Sequence, residues 1–89
     1  ASFGEPALKI FPNPAHGVIN FALHLNTNSH IRLSLFDELG REIIKAIDED
    51  RNEGYYRLQL DTKLLGTSVV FARLEIGGKV FTQRLVIAD

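Results

Sequence analysis

From one end of this chain to the other, apolar and polar residues alternate in short runs separated by turn-forming residues. Alternation with period two is the signature of a β-strand, because successive side chains point to opposite faces. A chain made of such runs has one apolar face per strand to bury, and two sheets packed face to face bury them all.

The stretch "GVINFALHL" (17–25) places Ile19, Phe21, Leu23 and Leu25 on one face, with Val18, Asn20, Ala22 and His24 on the other. In "HIRLSLF" (30–36), Ile31, Leu33 and Leu35 turn inward while Arg32 and Ser34 face out. "YYRLQL" (55–60) directs Tyr56, Leu58 and Leu60 inward, and "SVVFARLEI" (68–76) is apolar on both faces, as a central strand is. "KVFTQRLVIA" (79–88) is the return strand, with Phe81, Leu85 and Ile87 able to pack inward. Two segments are less regular. "REIIKAI" (41–47) reads as a shorter strand, and "ALKIF" (7–11) reads as one stopped by Pro12 and Pro14, which cannot donate to a ladder.

Turn chemistry fills the gaps. "NTNS" (26–29) and the Gly40 region reverse the chain, "DEDRNEG" (48–54) reads as a polar loop, and "DTKLLG" (61–66) allows one helical turn. Gly77-Gly78 matches a primed two-residue hairpin turn, in which glycine removes the cost of positive φ. The expectation is an all-β fold, an immunoglobulin-like antiparallel β-sandwich of about seven strands. Its core is expected to hold Phe21, Leu33, Leu35, Leu58, Leu60, Leu74 and Leu85. Residues 1–6 read as a linker remnant and 7–89 as the domain.

Composition excludes several functions. With 89 residues there is room for one modest core, and no apolar run approaches the roughly 20 residues that span a bilayer. A net charge of −1, with both signs interspersed, lacks the concentrated basic face that nucleic acid requires. With no cysteine there is neither a disulfide framework nor a thiolate metal site. The absence of methionine, even at position 1, fits a piece of a larger chain.

His24 shares a strand face with Asn20, His16 and His30 read as turn residues at that strand's two ends, and no pair has metal-ligand spacing. They read as solvated surface histidines. "DEDRNE" lacks the alternating oxygen ligands and fixed glycine of a calcium loop and carries Arg51 in its middle. Ser2, Ser29, Ser34 and Ser68 have no nucleophile context, and "IGGK" joins two strands instead of opening a helix. Tyr55, facing out beside Arg57, is the main exposed aromatic, with Phe36 or Phe81 as further candidates. No cofactor and no catalytic residue is expected.

Taken in order, four landmarks resemble a known family. They are Pro12-Asn13-Pro14 after a first strand, Asp37 with Gly40-Arg41, the stretch from Phe71 to Gly78, and the closing "KVFTQRLVI". Together they resemble the C-terminal sorting domains of the type IX secretion system of Bacteroidetes-like bacteria, from about Leu8 to Asp89. The penultimate strand departs from the family's aromatic-rich "GVYFYRL", with Val70 and Ala72 in place of tyrosines. The resemblance implies an immunoglobulin-like, non-catalytic domain that directs an upstream cargo through the outer membrane. Implied partners are the outer-membrane secretion machinery and a sortase-like peptidase, with the domain itself a monomer and no nucleic acid bound. Implied localisation is secreted or cell surface by way of the periplasm.

Within that reading, Asp37 accepts bonds from the amides of its own turn and Gly40 reverses the chain. Arg41, Lys79, Gln83 and Arg84 are the candidates for recognition by a partner. Two rival readings use the same sandwich. One is a carbohydrate-binding or adhesive module, which needs a row of exposed aromatics, and the other is a purely structural immunoglobulin-like accessory module of a secreted enzyme.

Overall fold

The structure is a computed structural model and describes residues 7–88. The expected linker remnant at 1–6, together with Asp89, lies outside the described residues. Seven strands follow one another: β1 (Ala7–His16), β2 (Val18–Leu25), β3 (Ser29–Phe36), β4 (Glu42–Arg51), β5 (Gly54–Asp61), β6 (Val69–Ile76) and β7 (Lys79–Val86). A single 3-10 turn, Thr62–Leu64, separates β5 from β6, capped by the Asp61 carboxylate accepting from the Lys63 amide.

Two antiparallel sheets result, with strand orders β1-β2-β5 and β4-β3-β6-β7. This is the expected all-β sandwich of immunoglobulin type, with three strands facing four. Alternation decides which residues meet between them. Ile19, Phe21, Leu23 and Leu25 from β2 are all buried, as are Ile31, Leu33 and Leu35 from β3 and Val70, Ala72, Leu74 and Ile76 from β6. Leu85 and Ile87 close the core from the last strand, while Leu58, Leu60 and Phe81 are half-buried against it.

Three local expectations need correction. The first strand does not stop at Phe11, because β1 runs on through both prolines to His16. Its register with β2 shifts between Phe11 and His16, and Pro12 and Pro14 sit within that irregularity, where no ladder amide is required. Both X-Pro bonds there are cis. Within the shift β1 also reaches the other sheet: the Ala88 amide donates to the Ala15 carbonyl at 2.8 Å, and Ala15 bridges Ile87 in parallel, before His16 pairs again with Val18 of β2. His16 is accordingly a strand residue, not a turn residue.

The segment expected to be a loop at 48–54 is strand as far as Arg51. The cause is two bulges in β4. Ser34 pairs with Lys45 but Leu33 pairs with Ile47, and Leu35 pairs with Ile44 but Phe36 pairs with Glu42, so Ala46 and Ile43 are the extra residues. Each bulge sets two neighbouring apolar side chains half inward, which breaks the alternation. Past Ile47 the strand returns to strict pairing, Arg32 with Asp48 and His30 with Asp50. His30 therefore also belongs to a strand.

Ser34, expected to face out, is only 3% exposed. It does lie on the outer face, but as a short residue of a central strand it sits between Lys45 and Arg73 on the neighbouring strands. Its Oγ has no hydrogen-bond partner among the described residues.

Candidate functional site

The corner between β3 and β4 is built around one carboxylate. Asp37 Oδ1 accepts from the backbone amides of Leu39 and Arg41, both at 2.9 Å, and Oδ2 accepts from Arg41 Nε at 2.8 Å. The Asp37 amide in turn donates to the Arg41 carbonyl, and Gly40 reverses the chain at φ +84°. The Arg41 amide, acting with its guanidinium and the Leu39 amide, holds the Asp37 carboxyl below its ordinary value of 3.8 against the opposing effect of burial. Arg41 remains 76% exposed in its side chain, but it is an oriented cation already paired through Nε, not a loose one.

Asn13 has a role that turn-motif reasoning missed. Its Nδ2 donates to the Arg84 carbonyl at 3.3 Å, and its Oδ1 accepts from the Val86 amide at 3.1 Å. One side-chain amide thus presents a donor and an acceptor to the outer edge of β7, as a further strand would. Edge strands with open ladders invite unwanted pairing, and this one is covered by the proline-flanked end of β1.

The recognition candidates do not form one patch. Register places Arg84 opposite Phe71, which is opposite Phe36, at the end of the four-stranded sheet where the Asp37 corner lies. Lys79 pairs with Ile76 at the other end, beside Gly77 and Gly78, whose φ values of +52° and +87° fit the primed hairpin turn. Gln83 shares the inward parity of Phe81 and Leu85 and is half-buried.

Across the same outer face, charges pair along the rungs. His30 Nδ1 lies 2.7 Å from an Asp50 oxygen and Nε2 lies 2.8 Å from an Asp48 oxygen. Only the imidazolium has two N–H donors to satisfy both carboxylates. These contacts, led by Asp50, raise the His30 pKa above 6.5, and the His30 bond lowers that of Asp48. The two carboxylates approach opposite ring nitrogens, so the trio does not converge on a metal ion. Among the described residues no group of three or more potential ligands does so.

A pH dependence follows. Because the folded pKa of His30 lies above its unfolded value of 6.5, its stabilisation is complete below that value. It is lost as pH rises through the folded pKa. The Asp48 contribution has the opposite sign, present above 3.8 and lost as pH falls through its depressed folded pKa. Thermal melts at low salt should therefore show a Tm that declines as pH rises above 6.5, a decline absent in His30→Gln. Equal slopes for the two proteins would remove the histidine from the account.

Among the described residues no nucleophile is paired with a base, but there is an ordered corner, a covered terminal strand and a charge-laced sheet face. Residues 9–88 match the family described as the secretion system C-terminal sorting domain. The chain belongs to that family. Among curated proteins none matches it. Such sorting domains serve as C-terminal signals of type IX secretion, a Bacteroidetes export route leading to the cell surface or exterior, and they are in general non-catalytic. Residues singled out in the sequence have physical roles here: Asn13 clasps β7, Asp37 organises the β3–β4 corner, and the Gly77-Gly78 turn leads into the last strand.

Proposed function

We propose that this sorting domain carries a larger cargo, joined upstream, across the outer membrane by presenting a folded surface to the secretion machinery. In this reading the domain does no chemistry itself, and a sortase-like peptidase acts on the junction with the cargo. The observation that supports the reading best is the match of residues 9–88, nearly the whole described chain, to the sorting-domain family. An upstream catalytic domain would leave the role of this one unchanged.

Of the recognition candidates, Arg41 and Arg84 share one end of the sheet and Lys79 occupies the other. Recognition by a rigid partner favours the end where an oriented guanidinium stands beside the ordered corner. A reporter fused ahead of the domain in a type IX-competent host is expected outside the cell. Arg41→Ala combined with Arg84→Ala is expected to hold the reporter in the periplasm while thermal melts stay close to wild type, and Lys79→Ala is expected to export normally. An intact domain that leaves the reporter in the periplasm would sink the sorting function. Normal export by the double variant would remove only the choice of this end of the sheet.

A further inference from the structure

The two outer faces of the sandwich differ in chemistry. On the four-stranded sheet, cations meet carboxylates: His30 contacts Asp48 and Asp50, Arg32 and Arg73 approach Glu75, and Lys45 approaches Asp48. The three-stranded sheet is different. Its middle rung aligns Lys9, Ala22 and Arg57 across β1, β2 and β5, and among the described residues neither cation has a carboxylate partner.

Aromatic rings flank that rung on both sides. At one end Tyr55 stacks on His24, with ring centroids 4.3 Å apart and planes within 11°, and Tyr55 remains 83% exposed. At the other end Phe11 is 37% exposed, and the Arg57 guanidinium lies over its ring at 5.8 Å. Ala22, the smallest side chain of the face, leaves a shallow basin between them, lined by Lys9, Phe11, His24, Tyr55 and Arg57. The rungs of His24 and Asn20, which bound it, are four residues apart, about 13 Å along the strand.

We infer that this basin binds a short carboxylate-bearing oligosaccharide, its sugar rings stacked on Tyr55 and Phe11 and its carboxylates held by Arg57 and Lys9. Ring faces attract the C–H face of a pyranose as they attract other flat apolar surfaces, with a polar group at the edge fixing orientation. A guanidinium offers a planar fork that fits a carboxylate with two parallel bonds. The same rings and cations could in principle hold single-stranded nucleic acid. That requires a positive track following successive phosphates, whereas here two cations stand in one rung of a chain with net charge −1. A neutral sugar would use the rings and leave both cations idle.

Binding does not depend on the export reading above and is measured on the purified chain. The probes are trigalacturonate, the neutral galactose trisaccharide and a thymidine hexanucleotide, followed by amide chemical shifts. Trigalacturonate is expected to bind saturably at about millimolar affinity or tighter, with shifts confined to β1, β2 and β5. Tyr55→Ala and Arg57→Gln, both at exposed positions, should each weaken it by about tenfold or more with unchanged melts. The inference is overturned by no saturable binding of trigalacturonate, by binding indifferent to both substitutions, or by equal or tighter binding of the neutral sugar or the oligonucleotide.

Discussion

Leu33→Ala and Leu74→Ala should each lower the free energy of unfolding by about 2–5 kcal/mol. The two residues face one another in register across β3 and β6, the central strands of the larger sheet, and each is 1% exposed. Both side chains are packed among other core residues, so truncation leaves a cavity that the surroundings refill only in part. A domain of this size has only about 5–15 kcal/mol in total, so either change removes a large share. Leu39→Ala serves as a control, because that side chain is 80% exposed at the turn and its loss should change stability by no more than about 0.5 kcal/mol. Urea titration of the three variants gives the comparison. As direct neighbours, Leu33 and Leu74 should also be non-additive in the double variant. A melt that ranks Leu39→Ala with the other two would contradict the core.

Deleting Leu85–Asp89 should abolish the cooperative fold altogether. Leu85 is 1% exposed and Ile87 is 8% exposed, and each truncated core residue of this kind costs about 2–5 kcal/mol. The deletion also removes three tethers: the Val86 amide to Asn13 Oδ1, the Ile87 amide to the Ser68 carbonyl, and the Ala88 amide to the Ala15 carbonyl. The sum is comparable with the whole stability of such a domain. Far-ultraviolet circular dichroism should show a loss of strand signal with no melting transition. A truncated chain that still melts cooperatively within a few degrees of the intact one would overturn this. Loss of export on truncation therefore cannot by itself separate a damaged recognition surface from an unfolded domain, and the point substitutions at Arg41, Arg84 and Lys79 are the better probes of sorting.

Much of the fold was legible in the sequence because β2, β3 and β5 keep a two-residue period and the apolar run of β6 marks a central strand, so strand faces and most of the core could be read directly. The misreadings cluster where that period fails. Extra residues at Ile43 and Ala46 hid the length of β4, so Asp48 and Asp50 were read as loop and His30 as an isolated surface residue. A signal was present, since Asp48 and Asp50 continue a period of two and oppose the cations of β3. Pro12 and Pro14 read as a stop because a proline ends a ladder; they mark instead an irregularity in the pairing with β2, within which β1 also touches the other sheet.

At the candidate site, the carboxylate turn at Asp37 and the glycine at position 40 followed from turn chemistry alone. The Asn13 clasp could not, because it joins residues 71 and 73 positions apart. The stack of His24 on Tyr55 likewise depends on the register between β2 and β5, which alternation does not reveal. Arg41, Lys79, Gln83 and Arg84 were grouped by residue type, and only the sheet register separates them into two ends and an inner face.

The clasp between β1 and β7 has a consequence for the order of events during synthesis. The proline-flanked end of the first strand is held by the backbone of the last strand and of the residues just after it, through Arg84, Val86 and Ala88. A ribosome emits Asn13 long before those partners, and a contact spanning most of the chain cannot form until its second half exists. The closed sandwich is thus available only to chains translated through residue 88. Prematurely terminated products would present loose strands instead of the closed sandwich, so the topology makes folding itself a check that translation reached the end of the domain.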